Sequence, residues 1–156
     1  MTVHEVKPAI DLNTLLPGAQ FADAFQIEVT DGTLDARHAA ERMMARQPRW
    51  AEALITLRNV LVAPFGLKTS GHSTVPREMI GIFPILSETP VRLVAGFNDR
   101  HLDFRVVVHV TAPGTTRQVT ATTLVLTHNG LGRAYLAIIL PFHRMIVRSL
   151  LRQVAA

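Results

Sequence analysis

The stretch His101-Leu102-Asp103-Phe104-Arg105-Val106-Val107-Val108-His109-Val110 decides how the rest of the chain reads. Side chains alternate across a strand, so His101, Asp103, Arg105 and His109 share one face, and Leu102, Phe104, Val106, Val108 and Val110 share the other. An apolar face of this kind belongs on a core, and the polar face is expected to meet water. Met79–Leu86, Val91–Asn98 and Gln118–His128 are strand-like too. Ser87-Glu88-Thr89-Pro90, Asn98-Asp99-Arg100 and Thr111-Ala112-Pro113-Gly114 connect them with turn residues. Connections this short join antiparallel neighbours, because parallel strands need a long crossover. The second half of the chain is therefore an antiparallel meander.

Working outward, Gly130–Ala156 reads as one long helix with Asn129 as its N-cap. Tyr135, Ile138, Ile139, Phe142, Ile146 and Leu150 form its expected apolar stripe, with Arg133, Ala137, Arg144, Arg148 and Arg152 opposite. Pro141 removes one intrahelical bond and is expected to kink it. On the N-terminal side, Phe21–Val29 alternates as a strand, placing Phe21, Asp23, Phe25, Ile27 and Val29 on one side. Leu34–Arg46 reads as a helix capped by Thr33 or Asp35. A second helix runs from Pro48 to Pro64 with Trp50, Leu54, Leu57, Val60 and Leu61 on one face. Gly66–Arg77 is a polar loop or weak strand. Residues 1–19 form an N-terminal arm, and residues 20–156 one domain. The order is strand, two short helices, meander, long helix. It predicts an α+β fold of the helix-grip type, a curved antiparallel β-sheet wrapped around a long C-terminal α-helix. Such a sheet needs a cover for its apolar face, and a cavity often remains beneath the helix.

Composition narrows the function. The chain has 156 residues, enough for one domain with a sizeable core, and no Cys. A thiol nucleophile, a Cys-ligated metal and a disulfide scaffold are excluded. Hydrophobic residues make up 48% and charged residues 18%, which excludes a disordered chain. Residues 1–36 carry a net charge of −5, residues 37–103 carry +3, and residues 104–156 carry +6, with six Arg and no acid in that last third. The arginines are dispersed and accompany no nucleic-acid-binding motif, so pairing with the acidic N-terminal third is the preferred reading and nucleic acid is not an expected partner. Met1–Asp11 lacks the apolar core of a signal peptide. The uninterrupted apolar run Ala134–Phe142 is short for a membrane span, so a cytoplasmic, non-integral protein is expected.

Three segments carry a family resemblance. They are Arg49-Trp50 through Phe65-Gly66-Leu67-Lys68, Gly81-Ile82-Phe83-Pro84 through Arg100-His101-Leu102-Asp103-Phe104-Arg105, and Thr127-His128-Asn129 through Pro141-Phe142-His143. Over roughly residues 15–150 the chain resembles a bacterial family of uncharacterised domains. Its members occur alone or C-terminal to proteins that look like short-chain NAD(P)-dependent reductases. That family is similar to the START/Bet v 1/polyketide-cyclase superfamily. The resemblance implies an apolar small molecule held under the long helix and an association with a short-chain-reductase-like protein. Gly130-Leu131-Gly132 lacks the third glycine of a dinucleotide loop and follows no βαβ pattern, so no cofactor is expected.

The candidate ligand-binding residues follow from this layout. His128, Arg133 and Tyr135 sit where the last strand hands over to the helix and can meet the polar end of a ligand, aided by the helix amides. Asn129 capping, a packed Tyr135 and a solvated Arg133 explain the same residues without a ligand. Ile138, Ile139 and Phe142 would line the apolar body. His143 lies beside them; a histidine on an apolar face is most often a hydrogen-bonded core residue, and catalysis would require an acid close by. His101 with Asp103 can share a metal, or Asp103 can orient a histidine, but no third ligand stands at a fixed spacing. Trp50, Phe65, Phe83, Phe97 and Phe104 are core residues first and pocket residues second. Three functions are ranked on these grounds. The first is a binder of an apolar small molecule, with no catalytic residue and no metal. The second is a small cyclase, hydrolase or isomerase using His128, His143 or Asp103. The third is an interaction or membrane-surface module using the Arg-rich helix, a reading that an exposed apolar stripe on that helix would favour.

Overall fold

A computed structural model describes residues 2–8, 12–45, 78–80, 83–98 and 101–155. Within them the chain runs β1 (His4–Val6), α1 (Leu12–Leu15), β2 (Phe21–Val29), α2 (Ala36–Met44), β3 (Met79–Ile80), β4 (Phe83–Glu88), β5 (Arg92–Asn98), β6 (Leu102–Thr111), β7 (Arg117–Thr127) and α3 (Gly130–Ala155). The expected second helix, Pro48–Pro64, and the loop Gly66–Arg77 lie outside the described residues, as do Trp50 and Phe65.

The strands make one antiparallel sheet in the order β1-β2-β7-β6-β5-β4-β3. The meander β4 to β7 is as expected, and β2 joins its free side by pairing with β7 from Phe21↔Val125 to Val29↔Arg117. The N-terminal arm is part of the sheet: its residues 4–6 pair with β2 as an edge strand. The segment expected as one strand over Met79–Leu86 divides into β3 and β4, which pair with each other. A bulge between Ile85 and Ser87 shifts the β4–β5 register.

The α+β layering follows from burial. α3 packs on β2 and β7, and α2 packs on β5, β6 and α3. Beneath them, Phe25, Ile27, Val106, Val108, Val119 and Ala121 form the core with Val147, Leu151 and Val154 of α3. The apolar face assigned to Val106, Val108 and Val110 is thus the helix-covered one. Ala36, Ala39 and Ala40 bring α2 close to the strands. Asp35 is its N-cap and accepts from the His38 amide at 2.8 Å.

The opposite face of the sheet is not simply wet. Ala24, Val94, Val107 and Leu124 are buried there too. The central strands therefore bury both sides, the behaviour expected of the near-continuous apolar runs Val106-Val107-Val108 and Leu124-Val125-Leu126.

The α3 stripe is also rotated from its expected phase. The buried residues are Gly132, His143, Val147, Leu151 and Val154. Ile138 and Phe142 are 42% and 44% exposed, on the outward side. The residues from 134 to 142 are apolar all round, so spacing alone does not select which of them faces the sheet.

Candidate functional site

The helix-covered face carries a transverse row of aromatic rings. Phe21 pairs in register with Val125, Val125 with Phe104, and Phe104 with Phe97. Phe83 completes the row, stacked at 6.0 Å on Phe97 and 5.1 Å on Phe104, with Phe97 and Phe104 5.7 Å apart. Offset phenyl stacks of this separation are favourable and hold the rings in one orientation. Val125 is buried, whereas Phe21, Phe83, Phe97 and Phe104 are only half-buried. The next row towards the core contains small side chains, since Asp23 faces Thr123, Thr123 faces Val106, and Val106 faces Ala95. These small side chains are buried, and they lie beside the larger, half-buried rings.

Asp23 stands in that second row and is buried, and His143 of α3 comes down on it. The His143 Nε2 to Asp23 Oδ1 distance is 3.0 Å, and both residues are 8% exposed. The edge of the Phe21 ring meets the imidazole at 5.5 Å between centroids. An ionised carboxylate only accepts, so Nε2 carries the proton in this bond and Nδ1 is left as the second nitrogen. No hydrogen bond to Nδ1 occurs among the described residues. This supplies the acid that a functional His143 requires. The signal for it was in the sequence: alternation puts Asp23 on the core face of β2, where a carboxylate needs a partner. That the partner lies 120 residues away is a tertiary fact no local pattern contains.

The strand-to-helix junction is built differently from the expected cluster. His128 Nε2 pairs with Asp103 Oδ1 at 3.0 Å, so Asp103 does orient a histidine. Asn129 caps α3 by accepting from the Gly132 amide at 3.0 Å, and its Nδ2 meets His101 Nδ1 at 2.7 Å. The His128 amide donates to the His101 carbonyl at 2.9 Å. Gly132 packs on that same carbonyl so closely that a Cβ would lie 2.0 Å from the oxygen. The glycine that made no dinucleotide loop serves this close approach. Arg133 is exposed and Tyr135 half-buried. Two residues apart on a helix they point to opposite sides, so His128, Arg133 and Tyr135 do not converge on one point.

On the outer face, Arg105 reaches back over β5. It donates to the Phe97 and Phe104 carbonyls at 3.1 and 2.8 Å and to Asn98 Oδ1 at 2.7 Å. Burial lowers its pKa, with the Asp103 charge opposing that shift. Gly96, its register partner, has φ 155° and no room for a Cβ beside the Phe104 carbonyl. His101 is engaged by Asn129 and Asp103 by His128. No group of three His, Asp or Glu able to hold a metal occurs among the described residues.

The chain belongs to the DUF2867 family, described as proteins of unknown function, whose profile matches residues 15–150. No curated protein matches it.

Proposed function

We infer that this chain is a ligand-binding domain of helix-grip type that holds an apolar small molecule between α3 and the aromatic row. The observation that carries this reading is the half-burial of Phe21, Phe83, Phe97 and Phe104 on the side of the sheet that a helix covers. A closed core buries its rings fully, as this protein does with Phe25. The resemblance of the sequence, through its family, to the START/Bet v 1/polyketide-cyclase superfamily supports the reading. The ligand's polar end belongs beside His143 and Asp23, one row from the rings. Its apolar body belongs on the inward residues of α3, Leu136, Ile139 and Leu140, in place of Ile138 and Phe142. Native mass spectrometry tests it. The purified protein should carry a neutral apolar adduct that Phe97→Asp releases while the fold is kept. An adduct-free protein that also takes up no added apolar compound contradicts it.

One observation favours a second reading, acid–base catalysis in the same cleft. Asp23 holds His143 through Nε2, the arrangement in which a carboxylate orients an imidazole as a general base. Hydrolysis of a neutral aryl ester by the wild type, lost in His143→Gln with ligand binding retained, would select the enzyme over the binder. Equal background hydrolysis by both proteins would reject it.

A further inference from the structure

The start of α3 is held by a chain of hydrogen bonds whose polarity is fixed at one end. The backbone N–H of Gly132 donates to Asn129 Oδ1 at 3.0 Å. A backbone amide nitrogen only donates, so this bond settles which end of the Asn129 side chain is oxygen. Asn129 Nδ2 then faces His101 Nδ1 at 2.7 Å, and an amide NH2 only donates. His101 Nδ1 is therefore the acceptor. It has a lone pair to offer only in the neutral ring that carries its proton on Nε2.

A His101 charged at both nitrogens sets N–H against NH2 across this contact. Turning the Asn129 amide over would restore a bond to the ring, but it would set Nδ2 against the Gly132 N–H and uncap the helix. The charged ring and the capped helix therefore exclude one another. His101 is 8% exposed, its carbonyl accepts from the His128 amide at 2.9 Å, and Gly132 packs on that carbonyl. A positive ring here also lies at the N-terminal end of the helix dipole, whose sign it shares. The first turn of α3 has no acid to offset it, and Arg133 adds charge of the same sign. The other titratable groups described at the junction, Asp103 and His128, pair with each other at 3.0 Å.

We propose that His101 is an acid-sensitive latch on α3: the neutral ring holds Asn129 in its capping position, and protonation of the ring releases it. His101 stands three residues before Phe104, so the latch frees the end of α3 nearest the aromatic row. The proposal rests on the junction and is independent of the ligand-binding reading.

Nuclear magnetic resonance of the full chain between about pH 8 and pH 5, where an ordinary histidine titrates, tests it. In the wild type the His101 ring nitrogens should show the Nε2–H tautomer at the upper end of that range. As the ring charges, protection of the Gly132 amide against hydrogen exchange should fall about fivefold, the weight of one N-cap. His101→Gln offers an acceptor oxygen that does not titrate, and should hold the Gly132 protection constant. Asn129→Asp caps with a carboxylate that accepts from a charged ring, and should reverse the sign, with protection rising as His101 charges. Should His101→Gln unfold, Asn129→Asp makes the test alone. His128→Gln should keep the wild-type response, which separates His101 from its neighbour. An Nδ1–H tautomer, a ring that stays neutral down to about pH 5, or a Gly132 protection indifferent to the charge on the ring overturns the proposal. So does loss of the response in folded His128→Gln, or a response of wild-type sign in Asn129→Asp.

Discussion

Asp31, just past the end of β2, has its carboxylate held by the Thr33 hydroxyl at 2.7 Å, the Thr33 amide at 3.0 Å and Arg42 Nη2 at 2.9 Å. The Thr33 bonds chiefly, and then Arg42, lower its pKa from 3.8 to about 2. The folded value lies below the unfolded one. Whatever these contacts add to stability is therefore complete above pH 3.8 and is lost as the pH falls towards about 2. A carbon-13 titration should show Asp31 ionising at about 2 in the wild type and moving up in Thr33→Ala. An unmoved value would mean that the Thr33 hydroxyl is not the main cause. The buried His143–Asp23 pair makes a different prediction. Asp23→Val or His143→Leu alone leaves one polar group buried without its partner, at a cost of ~3–5 kcal/mol each, whereas the double variant should cost less than either single one. Urea melts of the four proteins check this cycle, and additive costs would show that the two side chains do not act as a pair.

Among the elements, α3 shows where pattern reading works and where it stops. Its extent, its Asn129 cap and its contact with the sheet follow from the sequence. Its rotation does not, because residues 134–142 offer an apolar side chain in every direction and only the sheet selects one. The observed rotation predicts that Val147→Asp unfolds the protein, since an unpaired charge in the core costs several kcal/mol. Ile138→Asp should shift the thermal midpoint little. The reverse order of the two midpoints would restore the stripe read from spacing. Gly132→Ala should cost ~1–3 kcal/mol, because the added methyl meets the His101 carbonyl and the junction must open to take it. The long strands are legible by alternation over nine to eleven residues, and Phe21–Val29 has the bounds expected for it. Strands of two and three residues such as β3 and β1 are too short to show a period; their pairing partners define them.

At the scale of the whole molecule, antiparallel layering under one long helix follows from the short turns and the terminal helix, and both are visible in the sequence. The candidate site was legible in its parts. His143, Phe83, Phe97 and Phe104 stand out individually, and Asp23 sits on the correct face of β2. What unites them is cross-strand register and a contact between the two ends of the chain, and neither has a local signature. The central claim is that the aromatic row and the inward side of α3 enclose an apolar ligand. Fluorescence titration of N-phenyl-1-naphthylamine, a neutral apolar probe, into wild type, Phe97→Ala and Phe104→Ala tests it most directly. Saturable binding at one site in the wild type, weakened about tenfold or more by each substitution through lost apolar contact, is the predicted result. A wild type that shows no saturable binding, or two folded variants that keep its full affinity, would contradict the account.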